Sequence, residues 1–238
     1  MDVQTLGNEW ELLGADDPMW RVASVPGKRG SWTPEEFFAN GREQLDAILT
    51  HVSPPPGEAL DFGCGVGRLT QALGAKFDKV TGIDVSESML KEAKRLNSKP
   101  NVSFVLNKSD GLPCESGRFS FVLTHITLQH MPPKLALGYL REFVRVLKPG
   151  GILVFQVPTK WVWRNAGFRG SIEHIVPKRL LLAYHHLRYR GVGFSWVWGI
   201  PEPKVREALT GLEILSEERI GPFKGWLSVT FYTRKPAS

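Results

Sequence analysis

Asp61, Gly63, Gly65, Gly67 and Asp84 are the residues whose types and spacing most directly imply chemistry. The three glycines stand at alternate positions in Asp61-Phe62-Gly63-Cys64-Gly65-Val66-Gly67-Arg68, between an apolar run and a helical pattern. Glycines there let the backbone bend sharply and lie against a ligand with no Cβ in the way. The helix that follows offers free N–H groups at its N-terminus, which favour polar or negative groups. Asp84 ends the apolar run Lys79-Val80-Thr81-Gly82-Ile83. A carboxylate about twenty residues after such a turn can accept both hydroxyls of a ribose. The pattern implies a nucleoside-type cofactor, and NAD and S-adenosylmethionine both satisfy it.

Two details favour S-adenosylmethionine. Arg68 stands where the dinucleotide fingerprint has its third small residue, which serves close packing around a pyrophosphate. Asp61, two residues before the first glycine, suits a cationic amino group and would repel a pyrophosphate. On these residues, and on Gly82-Ile83-Asp84-Val85-Ser86-Glu87-Ser88-Met89-Leu90, Leu128-Gln129-His130-Met131 and Arg145-Val146-Leu147-Lys148-Pro149-Gly150-Gly151, the chain resembles the class I S-adenosylmethionine-dependent methyltransferases. The four blocks are in family order and at family spacing, and the resemblance runs from residue 55 to 158.

The resemblance implies S-adenosylmethionine as cofactor, held by Asp61, Gly63, Cys64, Gly65, Gly67, Asp84, Val85 and Met89, with Thr124 at the end of the fourth strand. Where many relatives carry an acid beside the adenine, this chain has Asn107-Lys108. Asn107 can hydrogen-bond an adenine edge, whereas Lys108 cannot accept. Arg42 matches a position bordering the methionine end, where a guanidinium could clamp the carboxylate. Cys64 is expected to pack as a small apolar residue rather than act as a nucleophile.

Methyl transfer is an in-line displacement at a carbon the cofactor has already activated, so alignment is the main contribution of the protein. A base helps when the nucleophile is a hydroxyl or an ammonium. The fourth strand's tip, Thr124-His125-Ile126-Thr127-Leu128-Gln129-His130, offers two histidines. His130 is the expected catalytic base and His125 an expected substrate contact. Trp161, Trp163 and Arg164 follow the fifth strand at the ligand-binding edge and are expected to stack on and pair with an acidic or aromatic substrate. The tip lacks the Asn/Asp-Pro-Pro-Tyr/Phe motif that marks amino-group methylation of adenine, cytosine or glutamine. No metal set is expected, because the adjacent His185 and His186 point about 100° apart on a helix.

These residues need a scaffold, and the rest of the chain supplies one. Strands are predicted at 59–62, 79–83, 102–106, 119–124 and 152–157, alternating with helices at 68–73, 87–96 and 134–146. Two more strands, 212–217 and 227–234, read as a closing hairpin. Residues 1–34, rich in tryptophan and proline, read as irregular, and Thr33-Pro34-Glu35-Glu36 opens a helix that ends before Ser53-Pro54-Pro55-Pro56-Gly57. A further helix is predicted at 177–188. The expected fold is α/β, a Rossmann-like three-layer αβα sandwich whose seven-stranded sheet is mostly parallel with an antiparallel last strand. The expected division is an N-terminal cap at 1–53 and a methyltransferase domain at 54–238, with a substrate-cap insertion at about 159–200.

Composition bounds the function. The 238 residues are 42% hydrophobic and 23% charged, as in an ordinary globular enzyme. Two cysteines are too few for a disulfide framework, and no basic-then-apolar leader opens the chain, so a cytoplasmic location is expected. The most apolar stretch, Gly191 to Ile200, falls short of the ~20 residues of a membrane span. Net charge is +6, and Lys160 to Arg190 holds seven Lys/Arg against Glu173 alone. The expected activity is methylation of an oxygen or nitrogen of a small, anionic or sugar-like metabolite. An RNA methyltransferase using the basic segment and a non-catalytic cofactor-binding module are the alternatives. Nucleic acid is not the expected partner, since no RNA-binding module is recognisable.

Overall fold

Leu60 and Phe62 face one way and Ala59 and Asp61 the other, all buried, so strand β1 (Glu58–Phe62) is covered on both sides. A parallel strand between two helical layers requires this. A computed structural model of the protein describes residues 2–165, 172, 175–189, 193, 195–223 and 225–237. Around β1 lie β2 (Lys79–Asp84), β3 (Val102–Leu106), β4 (Phe119–Thr124) and β5 (Leu147–Trp161), all parallel. The sheet order is β3-β2-β1-β4-β5-β7-β6, with β6 at Glu213–Phe223 and β7 at Trp226–Arg234. β7 runs antiparallel to both β5 and β6. This is the expected seven-stranded sheet with an antiparallel last strand.

Helices fill both faces. Leu45 and Ile48 of α3 (Pro34–Leu49), Leu69, Ala72 and Leu73 of α4 (Arg68–Leu73), and Leu90 and Ala93 of α5 (Glu87–Leu96) pack one core. Tyr139, Leu140 and Phe143 of α6 (Pro133–Val146) and Val205 of α8 (Glu202–Ala208) pack the other. Strand order reverses between β1 and β4, which opens a crevice at the carboxyl ends of those strands.

Three expectations change. Residues 1–34 are not irregular: they hold α1 (Val3–Gly14) and α2 (Pro18–Val22). Asp2 caps the first through Thr5 N at 2.8 Å, and Asp17 caps the second through Trp20 N at 3.1 Å, with Pro18 in its first turn. Strand β5 starts earlier than 152–157, because its Leu147 pairs with Phe119 of β4, and ends later, because β7 pairs with it as far as Trp161 opposite Trp226. Strand β6 likewise follows its partner to Phe223. Helix α7 (Lys178–Arg188) occupies the predicted place, while Arg169, Glu173, Arg190 and Gly191 of the stretches singled out above lie outside the described residues.

Candidate functional site

The glycine turn leaves β1 with Gly63, Gly65 and Gly67 at φ of +73°, +51° and +81°, a region costly for any residue with a Cβ. Space forbids one as well. A Cβ on Gly63 would fall 2.1 Å from Thr127 Cγ2, and one on Gly65 would fall 2.5 Å from Val22 Cγ2. Gly67 serves differently: its Cβ would strike the Phe104 ring, so the third glycine lets α4 close on β3 and does not line the cavity.

Asp84 locks this turn to the start of α5. Its Oδ2 accepts from Gly65 N at 2.8 Å and its Oδ1 from Ser86 N at 2.9 Å. An ionised carboxylate has about four acceptor positions, so two remain for a ligand. Burial raises the Asp84 pKa. Asp61 is 2% exposed and accepts from Thr70 Oγ1 at 2.7 Å. Burial lifts its pKa to about 6, against the pull of Thr70 and Arg68. Arg68, also buried, donates to Asn40 Oδ1 at 2.8 Å and to Gln44 Oε1, while its Nε has no partner among the described residues. A buried anion, a buried cation with a spare donor, and a second carboxylate thus meet at one sheet edge.

These groups border a cavity of about 110 Å³, several times what one water needs. Apolar side chains line it as well: Val3, Leu6 and Trp10 of α1 with Phe62, Met131 and Tyr139. Helix α1 lies close against the β2–α5 junction. A Cβ on its Gly7 would meet Val85 Cγ2 at 3.0 Å, and one on Gly14 would meet Ser88 Oγ at 2.6 Å. Between them Glu11 accepts from Ser86 Oγ at 2.9 Å and from Ser88 N at 3.1 Å.

Both histidines line the cavity. His130 Nδ1 lies 2.8 Å from Trp196 O, and a carbonyl only accepts, so Nδ1 carries the proton and Nε2 is bare. Nε2 lies 3.2 Å from the Gln129 amide, and Trp10 meets the ring edge-on at 5.1 Å. Burial, offset in part by the Trp196 bond, lowers the His130 pKa to about 4. His125 is lowered to about 4 as well, by burial and by the Arg68 charge. Ile126 between them has φ of +56° and is 43% exposed at the cavity. A β-branched residue rarely tolerates that conformation, and such strain is typical of functional turns.

The structure gathers Asp61, Gly63, Cys64, Gly65, Asp84, Val85, Met89, Asn107, His125 and His130 around this cavity. Burial holds the Cys64 thiol well above its ordinary pKa, so it packs as a neutral group. Asn107 is occupied: its amide donates to Gly111 O at 2.9 Å, and its Oδ1 accepts from Ser109 Oγ at 2.7 Å. Arg42 and Lys108 are exposed and away from the cavity. The inward stripe of α3 is Phe37, Gly41, Leu45 and Ile48, and Arg42 sits about 100° round from Gly41. The Asn107 turn leaves Lys108 in solvent. Thr124 is buried outside the lining, its hydroxyl without a partner among the described residues. Trp161, Trp163 and Arg164 also lie outside the lining: β5 carries Trp161 onward along β7, and a 3-10 turn with Trp163 and Arg164 follows. There Trp161 packs edge-on against Trp163 and Trp226. Sequence reasoning missed Arg68 as a site residue and the whole α1 wall. The signal for that wall is Val3-Leu6-Trp10, a one-sided helical spacing.

A family described as "Methyltransferase domain" matches residues 59–151. A ubiquinone biosynthesis O-methyltransferase of Xanthomonas campestris pv. campestris is 34% identical over 113 residues, 46% of each chain. A demethylmenaquinone methyltransferase of Staphylococcus aureus is 41% identical over 101 residues, 41% of each chain. The chain thus spans under half the length of these curated relatives. Among solved structures, magnesium protoporphyrin IX methyltransferase of Synechocystis PCC 6803 with bound S-adenosylhomocysteine has a TM-score of 0.62 at 16% identity, covering 98% of this chain and 100% of that one. The [4+2]-cyclase SpnF has a TM-score of 0.65 at 20% identity, covering 100% of this chain and 97% of that one. At such identities the likeness is one of fold alone.

Proposed function

We propose that residues 59–151, which match a methyltransferase domain family, form a class I S-adenosylmethionine-dependent methyltransferase, and that this protein transfers the cofactor's methyl group to an oxygen or nitrogen of a small, largely apolar, ring-bearing acceptor. One observation carries the reading. A single cavity joins the carboxylates Asp61 and Asp84, set at a glycine turn, to an apolar wall of Leu6, Trp10, Met131 and Tyr139. The first end suits the amino acid and ribose of the cofactor, and the second suits a ring. The quinone pathways named for two relatives support a ring-bearing acceptor. The apolar lining favours it over the anionic or sugar-like metabolite expected from the sequence.

Asp61 would receive the ammonium of the cofactor and Arg68 Nε its carboxylate, while the open positions of Asp84 would suit the ribose hydroxyls. Gly63 and Gly65 let Thr127 and Val22 close on the turn that borders the cavity. When bound, the cofactor supplies a methyl group already activated on a sulfonium. Trp10, Leu6 and Tyr139 exclude water and orient the acceptor, the alignment on which rate depends. His130, its tautomer fixed by Trp196 O, has an unprotonated Nε2 that accepts from the Gln129 amide and would exchange that bond for the acceptor's proton.

The test is incubation with methyl-labelled S-adenosylmethionine and two acceptor panels, hydroxylated or aminated aromatics and sugar acids. Label in the aromatic panel is expected. Label in sugar acids alone, or in neither panel, would overturn the acceptor assignment.

A further inference from the structure

Helix α7 turns an apolar stripe outward. Leu180, Ala183, Tyr184 and Leu187 recur at i, i+3, i+4 and i+7, and all are exposed, Leu180 by 57%, Tyr184 by 59% and Leu187 by 73%. Ile175, 70% exposed, precedes the helix. At about 100° per residue the four occupy one continuous stripe, with Arg188 on one border and Arg179 on the other. The opposite side, Leu181, Leu182 and His185, is half-buried, and His186 Nε2 meets Glu9 of α1 at 2.7 Å. The helix is therefore held to the body of the protein with Leu180 and Leu187 pointing away.

The charge around the stripe selects its partner. Residues 175–189 contain no Asp or Glu, and neither Arg179 nor Arg188 meets a carboxylate among the described residues. Lys160 and Arg164, exposed in the preceding segment, add positive charge. Leucine and tyrosine between cationic borders suit a surface that is anionic at its face and apolar just beneath. A nucleic acid would match the arginines and leave the leucines in water. We propose that α7 docks in the plane of an anionic lipid bilayer, with Leu180, Tyr184 and Leu187 inserted and Arg179 and Arg188 among the headgroups. This surface is separate from the cavity and does not depend on the acceptor assigned there. It is connected to the cavity, since Glu9 belongs to the same helix as Leu6 and Trp10.

Vesicle flotation tests the proposal, using phosphatidylcholine vesicles with and without phosphatidylglycerol at low and high salt. The wild-type protein should float with the anionic vesicles and be released by salt. Arg179→Gln/Arg188→Gln should lower the partition coefficient by about fivefold per arginine. Leu180→Ser/Leu187→Ser should abolish flotation at either salt. All four side chains are exposed, so both variants should keep the wild-type circular dichroism and S-adenosylhomocysteine affinity. Failure of the wild type to float, or flotation that both variants retain, would overturn the proposal. So would a dimer in sedimentation velocity that the leucine variant dissociates, since that would assign the face to a second copy of this chain.

Discussion

Replacing Asp61 by asparagine should move stability and cofactor affinity in opposite directions. Burial raises this carboxyl from 3.8 to about 6. A folded-state pKa above the unfolded value means the acid form is the one the fold favours. Its stabilisation is complete below pH 3.8 and is lost as pH rises through about 6. By pH 7.5 the ionised group costs about 2–3 kcal/mol in the ligand-free protein, from a shift of about two units. Asparagine keeps an acceptor for Thr70 Oγ1 without the charge. Asp61→Asn should therefore resist urea better than wild type by up to about 2 kcal/mol at pH 7.5, and no better at pH 4. Binding should behave the other way. A ligand ammonium needs the ionised form, which is about one-tenth populated at pH 5 and nearly complete at pH 7.5. Calorimetric affinity of the wild type for S-adenosylhomocysteine should thus weaken about tenfold between pH 7.5 and 5. The variant should bind at least about tenfold more weakly at pH 7.5 and retain only the pH slope that Asp84 contributes. A wild-type affinity that is flat over this range, or a variant that binds as well as wild type, would refute the reasoning.

Three other outcomes are expected. His130→Ala should lower turnover more than about tenfold while leaving S-adenosylhomocysteine affinity nearly unchanged; in wild type the acid limb of the rate profile should lie near pH 4, since a base lowered to about 4 stays neutral far below the usual 6.5. Gly65→Ala, at φ of +51° and against Val22, should cost about 1–2 kcal/mol by thermal denaturation and reduce cofactor affinity. Arg68→Gln should weaken S-adenosylhomocysteine by more than about tenfold, as loss of a charge-assisted contact does, while Arg42→Gln, on the exposed side of α3, should match wild type in the same titration.

The core of the fold was legible because its signals are local. Helices α4 and α5 and strands β3 and β4 begin and end where glycine, proline and apolar periodicity place them. Asp61, the glycines and Asp84 were legible for the same reason, being fixed by one turn and one strand tip. What the sequence concealed depends on partners distant along the chain. The C-terminal extension of β5 is set by β7, some seventy residues later, and that pairing holds Trp161 outside the cavity lining. Arg42 and Gly41 are adjacent in sequence, and only the direction in which α3 turns its apolar stripe separates an exposed guanidinium from a buried glycine. Arg68 was read as a departure from a dinucleotide pattern, and its role emerges only where Asn40, Gln44 and Asp61 surround it. Helix α1 was hidden by the tryptophans and prolines near it, though Asp2 and Asp17 mark both helix starts.

Helix α1 touches both ends of the cavity: Gly7, Glu11 and Gly14 rest on the junction that carries Asp84, and Leu6 and Trp10 wall the apolar end. A helix shared in this way couples the two groups of residues: a displacement of α1 would expose both at once, and its return would cover both. If ligands enter by that displacement, turnover would have a ceiling equal to its frequency, however much of either ligand is supplied. A stopped-flow association rate that levels off at high S-adenosylhomocysteine, at a value raised by Glu11→Gln, would be the signature of that clock.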